Sequence, residues 1–142
     1  MVQSLAIYQN DVYITGYTTK GEKRLACYWK NGVRNDLTVN GKKEYSTCRS
    51  IFIDQGDIYI CGAYLIESSM VACYWKNGNN IDLTDPINER ALSTSIFVLD
   101  NNVYIAGFSN MKDGSDTKAW YWKNGKREFL DGTIAFSIFV TK

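Results

Sequence analysis

The sequence has 142 residues, 45% of them hydrophobic and 14% aromatic, which is enough to form the packed core of one domain. The formal net charge is +1 and opposite charges are interspersed, so composition predicts no nucleic-acid partner. No run reaches the ~20 apolar residues of a membrane span. The first residues lack a basic region followed by an apolar one, so we expect no signal peptide in this sequence. These features predict a cytoplasmic protein or a fragment of a secreted or envelope protein.

One motif, Tyr-Trp-Lys-Asn-Gly, occurs three times along the chain. Its copies are Tyr28–Gly32, Tyr74–Gly78 and Tyr121–Gly125. The copies lie about 46 residues apart, and a period of this size is typical of a repeat architecture. Each Asn-Gly pair favours a tight type I′ hairpin turn because both residues tolerate positive φ.

Each repeat contains four short runs that predict β-strands, since β-branched and aromatic residues dominate them. The first is a Ser-led apolar run that begins at Ser4, Ser50 and Ser95. The second ends in glycine: Val12–Gly16, Ile58–Gly62 and Val103–Gly107. The third is the Ala-x-Tyr-Trp run at 26–29, 72–75 and 119–122, and the fourth lies near 36–37, 82–83 and 129–130. A further Ser-led run, 137–140, follows the third repeat.

The first two runs are apolar on consecutive residues, which indicates burial on both faces of the sheet. Four-stranded sheets stacked against copies of themselves have both faces covered, and this is the arrangement of a β-propeller. We therefore predict an all-β fold, a β-propeller of four-stranded antiparallel blades, as a single domain over 1–142. The repeats are 4–49, 50–94 and 95–136, with an extra first strand at 137–142. A β-solenoid agrees less well with the repeated hairpin turns, and a free-standing meander or sandwich would show alternation of apolar and polar residues on at least one face.

Three blades are fewer than the four to eight of closed propellers. Two chains would give a six-bladed ring, so we predict a homodimer. In that ring the extra strand competes with residues 4–7 of the partner, and one of the two is displaced or exchanged. The alternative is that these residues are part of a longer propeller.

The repeat resembles the kelch family in the order of its motifs. Ile58–Gly62, Tyr74-Trp75 and Leu83 follow the kelch sequence of strands, with Arg90 before the next Ser-led run. Two departures are the single glycine, since Ala63 follows Gly62, and a tryptophan directly after the tyrosine. The Ala-x-Tyr-Trp-Lys-Asn-Gly core is also similar to bacterial extracellular repeats. Both resemblances imply a propeller and leave its ligand open.

The four cysteines replace Ala, Ser, Thr or Trp between repeats, which is typical of a small core residue. We expect Cys27, Cys48, Cys61 and Cys73 to be reduced thiols, with a Cys61–Cys73 bridge as the alternative. Their spacing predicts no zinc site. The segment Asp113–Asp116 only faintly resembles a calcium loop, so we expect neither a metal nor a cofactor.

Loop residues held by the rigid blades are the first candidates for ligand contacts. The turns after the first and third strands are short and uniform, whereas the other two connections vary. The loops after the second strands are predicted at Tyr17–Leu25, Ala63–Val71 and Phe108–Lys118. We therefore place a protein or glycan ligand on the rim of the variable loops. The candidates are Tyr17, Lys20, Glu22, Tyr64, Glu67, Phe108, Lys112, Asp113 and Asp116. Packing between blades is the role expected of Trp29, Trp75, Trp122, Tyr13, Tyr59 and Tyr104.

Catalysis has little support in the sequence. The chain contains no histidine, which excludes Ser-His-Asp and Cys-His catalysis and all histidine metal ligands. Its carboxylates form no recurrent pair of the glycosidase kind. We predict a non-catalytic binding or scaffold module, with a carbohydrate-binding or carbohydrate-active propeller as the alternative.

Overall fold

The structure, a computed structural model, describes residues 1–42, 44–113 and 116–141. Every regular element in this part of the chain is a strand, and the strands form three four-stranded antiparallel blades. The first blade contains β1 (Val2–Tyr8), β2 (Asp11–Lys20), β3 (Lys23–Lys30) and β4 (Val33–Asp36). The second contains β5 (Ser46–Asp54), β6 (Asp57–Ile66), β7 (Ser69–Lys76) and β8 (Asn79–Asp82). The third contains β9 (Glu89–Leu99), β10 (Asn102–Met111), β11 (Lys118–Lys123) and β12 (Lys126–Phe129). The predicted all-β fold of three four-stranded propeller blades is confirmed.

The connections after the second strands are much shorter than predicted. The loops predicted at Tyr17–Leu25 and Ala63–Val71 are wrong, because β2 and β6 run on to Lys20 and Ile66. Several residues in these extensions are polar, so the sequence pattern indicates a loop where the strand in fact continues. What is left as a connection is a tight turn, 21–22 in the first blade and 67–68 in the second.

The first strand of each blade also begins earlier than its Ser-led run. A bulge interrupts the pairing just before that run, between Val2 and Ser4 and between Cys48 and Ser50, and the strand continues beyond it. In the third blade the shift lies between Ala106 and Gly107. The predicted repeat limits after residues 49 and 94 therefore fall inside β5 and β9, and the blades divide before them.

The repeated aromatic residues face opposite sides of each blade. Tyr59 pairs across the strands with Lys76, and Ile60 with Trp75, so the tyrosine and the tryptophan lie on different faces. Trp75 packs in the cluster that joins the first and second blades, and its indole donates a hydrogen bond to the Thr38 carbonyl oxygen at 2.8 Å. Tyr59 lies in the other cluster, between the second and third blades. Each tryptophan thus faces the preceding blade and each second-strand tyrosine the next one.

A polar side chain on the first strand ties each blade to the one before it. The Cys48 thiol donates to the Gly16 carbonyl oxygen at 2.8 Å. Ser93, at the equivalent position of the third blade, lies 2.6 Å from the Gly62 carbonyl oxygen and 2.9 Å from that of Cys73. The residue at this position therefore contacts backbone carbonyls of the preceding blade and links the two sheets.

The two ends of the stack expose the surfaces that are buried between blades. Leu5 is 56% exposed, whereas Ile51, its equivalent in the second blade, is 6% exposed. Trp29 is half-buried, while Trp75 is fully buried. The first blade therefore presents an apolar face of the kind that the second and third blades use for packing.

Residues 130–141 form no strand within this chain, although a first strand was predicted from 137. The final residue of that predicted strand, Lys142, lies outside the described residues. The segment lies along β9: the Thr94 hydroxyl donates to the Ala135 carbonyl oxygen at 2.6 Å, and the rings of Phe97 and Phe139 are 5.1 Å apart. Because Phe52 and Phe97 meet in the same way at 4.6 Å, the segment occupies the position of a fourth first strand.

Candidate functional site

The rim formed by the Asn-Gly turns is held together by contacts that recur in the blades. In the second blade Asn77 accepts from the Ile58 backbone N–H at 2.9 Å and donates to Asp57 at 2.8 Å. Lys76 pairs with the same carboxylate at 3.1 Å and lies 5.1 Å from the centre of the Tyr59 ring. These contacts account for the repeated residues structurally, so the candidate sites lie on the opposite rim.

One cleft on that opposite rim lies between the second and third blades. It has a volume of about 620 Å³ and mixed polar and apolar walls. We call it the Glu89 cleft; its principal residues are Thr84, Asp85, Asn88, Glu89, Arg127 and Phe129. The connection from β8 to β9 supplies one wall, and β12 supplies the other.

A buried ion pair lies at the base of the Glu89 cleft. Nη1 of Arg127 donates to both carboxylate oxygens of Glu89, at 2.8 and 2.9 Å. The Glu89 side chain is only 4% exposed, and that of Arg127 is 23% exposed. Since both bonds use Nη1, the guanidinium keeps donors on Nη2 and Nε. The pair therefore presents an oriented cation whose position is fixed by a buried anion.

Aromatic rings flank this guanidinium. Its carbon lies 4.7 Å from the centre of the Phe129 ring and 5.9 Å from that of Trp120. Trp120 is fully buried, and its indole donates to the Ser109 hydroxyl at 2.8 Å. Phe129 is 48% exposed, so its ring is accessible to a ligand in the cleft. The site combines fixed hydrogen-bonding groups with an apolar surface, as ligand pockets do.

A second cleft, of about 310 Å³, opens on the same rim. We call it the arginine cleft, because Arg24, Arg49 and Arg90 contribute to its walls. Its apolar walls include Met70, Leu92 and Phe108. The two clefts share no lining residue.

The structure spreads the predicted site residues over several places. Phe108 lines the arginine cleft, whereas Tyr64 and Glu67 line a separate cleft of about 280 Å³ beside the first blade. Tyr64 is buried and donates to Asp82 at 3.1 Å, and burial is the main reason that its pKa is raised. Lys112 donates to the Pro86 carbonyl oxygen at 2.6 Å. Lys112 and Glu67 also line one cleft of about 250 Å³. The structure therefore brings Glu67 together with Tyr64 and with Lys112, but it forms no common site from all four residues.

The remaining candidates lie near the ends of the second strands. Tyr17 belongs to β2, and the Arg24 guanidinium lies 5.0 Å from the centre of its ring. Lys20 and Glu22 are exposed at the β2–β3 turn. Asp113 and Asp116 flank Gly114 and Ser115, which lie outside the described residues, so the predicted calcium-like loop falls partly outside them too.

Sequence reasoning predicted Phe108 but missed the arginines that shape both clefts. Arg127 corresponds to Asn80 in the second blade and Arg34 in the first, and Arg90 corresponds to Tyr45. None of these arginines recurs in all three copies, so a search for repeated residues passes over them. The signal that could have found them is the opposite of a repeat: charged residues near strand ends at positions where the three copies differ.

The other polar groups of the described part of the chain indicate structural roles. All four cysteines are free and buried. Burial raises the pKa of Cys48 to about 12 and that of Cys61 to about 12. Within the described ranges no group of three or more Cys, Asp and Glu residues is placed to hold a metal ion. Nor does that part of the chain contain a helix long and apolar enough to cross a membrane.

Comparison with known proteins gives one informative likeness. No protein-family model matches the chain, and no curated protein does. Among solved structures the chain is similar to a fucose lectin from Kordia zhangzhouensis, determined in complex with methyl-fucoside. The TM-score is 0.64 at 14% sequence identity, over 92% of this chain and 98% of the lectin chain. The likeness supports the fold, and the kelch resemblance stays a prediction.

Proposed function

We propose that this protein is a non-catalytic carbohydrate-binding module, with the Glu89 cleft as its sugar site. The observation that carries the proposal is the fixed Glu89–Arg127 pair beside the exposed ring of Phe129. The likeness to a fucose lectin favours a glycan over the protein partner that the repeat pattern alone suggested.

The chemistry of the cleft matches the two surfaces of a sugar ring. Neighbouring hydroxyl groups need donors and acceptors at fixed spacing, which the remaining Arg127 donors, the Asn88 amide and the Asp85 carboxylate can supply. The C–H face of the sugar is apolar and can pack on Phe129, because the negative face of an aromatic ring attracts C–H edges. A neutral deoxy sugar such as fucose presents both surfaces, so it is the first ligand to test.

The cleft is better suited to binding than to glycoside hydrolysis. Glycosidases need one carboxyl group as acid and a second as base or nucleophile. Both carboxylate oxygens of Glu89 accept from Arg127, so this carboxyl group is engaged by the guanidinium instead of facing a glycosidic bond. The site therefore fixes a sugar without a reacting pair of carboxyl groups.

Glycan-array binding followed by titration with methyl-fucoside tests the proposal. Saturable binding that Phe129→Ala weakens about tenfold would support it, since one lost aromatic contact is worth about 1 kcal/mol or more. Phe136→Ala is the matched control, because Phe136 is 75% exposed and does not line the cleft. Saturable capture of a protein with no sugar bound would instead favour the scaffold function.

We further propose that two chains close a six-bladed ring. The exposed face of the first blade carries the residue types that the second and third blades bury, so it is complementary to the outer face of the third blade. Two such contacts related by a two-fold axis leave no open end. Native mass spectrometry or light scattering on dilute protein should give twice the mass of the 16.2 kDa chain, and a stable monomer would contradict the ring.

A further inference from the structure

Three arginines, one from each blade, line the arginine cleft. Arg24 belongs to β3, Arg49 to β5 and Arg90 to β9. The whole sequence has five arginines, so more than half of them line one cleft of about 310 Å³. Because the three lie far apart in the sequence, only the stacking of the blades brings them together.

The positive charge of this cleft is not neutralised by its own walls. No Asp or Glu is among the residues that line it. In the described part of the chain the arginines that form ion pairs are the other two, Arg34 with Asp36 and Arg127 with Glu89. Three like charges around one cleft repel one another, and a bound anion would relieve that repulsion.

The side chains of β9 alternate between the two faces of the sheet, and this places the buried carboxylate of Glu89 away from the arginine cleft. Glu89 and Arg90 are consecutive, and consecutive side chains of a strand point to opposite faces of the sheet. Accordingly Glu89 lines its own cleft and Arg90 lines the arginine cleft. One strand thus separates a site with a balanced ion pair from a site of purely positive charge.

The remaining residues that line the arginine cleft suit the ring of a small ligand that carries an anionic group. Phe108, Met70 and Leu92 form apolar surface around the guanidinium groups. Asn110 accepts a hydrogen bond from the Thr117 hydroxyl through Oδ1, so its amide N–H groups are the donors that it can offer a ligand. The cleft therefore combines planar cationic donors, an amide donor and apolar walls.

We propose that the arginine cleft is a second ligand site, which binds the anionic group of an acidic sugar, either a carboxylate or a sulfate ester. Guanidinium groups bind planar carboxylates and sulfate oxygens through paired N–H donors, which a lysine cannot reproduce. The sugar part of this assignment rests on the proposed function, whereas the anion part rests on the arginines alone.

The test compares methyl glucuronide with methyl glucoside, which differ by a carboxylate in place of a hydroxymethyl group. Isothermal titration of the full chain should show the glucuronide binding at least about tenfold more tightly, as expected for charge-assisted hydrogen bonds. Glucose 6-sulfate replaces the glucuronide in a parallel titration and separates the sulfate from the carboxylate. Arg49→Gln and Arg90→Gln should each weaken binding of the anionic sugar about tenfold or more.

Controls separate this site from the Glu89 cleft. Arg34→Gln removes an arginine outside the cleft and should leave anion binding unchanged, while Phe129→Ala should weaken methyl-fucoside binding only. Raising the ionic strength from about 0.01 M to about 1 M shortens the Debye length from about 30 Å to about 3 Å. The binding of the glucuronide should therefore weaken much more than the binding of methyl-fucoside.

Each remaining outcome has a definite meaning. Equal affinity for glucuronide and glucoside, or anion binding that survives both glutamine variants, overturns the second site. Methyl-fucoside binding without glucuronide binding refutes this inference and leaves the proposed function standing. Tight binding of acetate together with failure of every neutral sugar supports the anion site and contradicts the proposed function.

Discussion

The ring of Tyr74 lies 5.7 Å from that of Trp122, tilted by 54°, across the boundary between the second and third blades. Tyr74 comes from β7 and Trp122 from β11, so one third strand packs against the next. The two residues belong to the same repeated motif, yet they face in opposite directions along the stack. This relationship explains how a single five-residue motif provides both sides of an interface between blades.

Removing the tryptophan from an internal interface should be costly. We expect Trp122→Ala to lower the free energy of unfolding by about 3–5 kcal/mol, because it leaves a cavity beside Tyr74. Urea unfolding followed by circular dichroism measures the change. A loss below about 1 kcal/mol would contradict the packing role of this residue.

Trp29→Ala is the matched substitution at the outer face of the first blade. Trp29 is only half-buried within one chain. Its substitution should therefore lower the free energy of unfolding of the monomer by less than Trp122→Ala does. In the proposed ring Trp29 faces the partner, so the substitution should mainly raise the dissociation constant. Unfolding at two protein concentrations distinguishes these effects, since only a dimer has a midpoint that depends on concentration.

The sequence predicted the blades well because their signals are local and repeated. The Asn-Gly turns and the runs ending in Gly16, Gly62 and Gly107 locate the strand pairs. It predicted the clefts poorly for a related reason. Arg24, Arg49 and Arg90 become neighbours only after the blades stack, and nothing in the local sequence specifies that contact. The strand extensions were missed because their polar residues resemble loops.

A glycine within the second strand is required for close approach of the first strand. A Cβ atom on Gly62 would overlap the Thr47 carbonyl oxygen and lie 2.8 Å from the Cys48 Cα atom. Since both contacts are with backbone, we expect Gly62→Ala to destabilise the fold by about 1–3 kcal/mol. Gly132→Ala is the control, because a Cβ there meets no atom within 4 Å. Equal midpoints in denaturant for the two variants would contradict this steric argument.

The buried thiols predict a loss of stability at alkaline pH. Burial raises the pKa of Cys48 and Cys61 to about 12, from an ordinary value of 9.0. The unfolded chain therefore ionises first. The stability from these thiols is complete below pH 9 and falls as the pH rises toward 12, by up to about 1.4 kcal/mol per pH unit for each thiol. Unfolding midpoints measured across this range test the expectation.

The variant Cys48→Ser provides the control for the alkaline effect. Serine already occupies the equivalent position as Ser93. It contacts the carbonyls of Gly62 and Cys73, which correspond to the Gly16 and Cys27 carbonyls beside Cys48. We therefore expect the substitution to change stability at neutral pH by less than about 1 kcal/mol. It should also reduce the alkaline slope, because one of the thiols is gone. An unchanged slope would mean that other groups cause the loss.

The segment that follows the third blade indicates how the proposed ring would close. Phe139 contacts Phe97 just as Phe97 contacts Phe52, whereas the first blade has Ala6 at this position. Residues 133–141 are thus better suited than β1 of the partner to lie beside β9 and pair with the partner's β2. Phe139→Ala should weaken the dimer about tenfold or more, since an aromatic pair contributes about 0.5–1.5 kcal/mol beyond its buried area. Sedimentation equilibrium measures the dissociation constant of the dimer, with Ile87→Ala as the control, because Ile87 is 74% exposed and lies outside this segment. A dimer that tolerates Phe139→Ala but is lost when β1 is deleted would assign the contact to β1 instead.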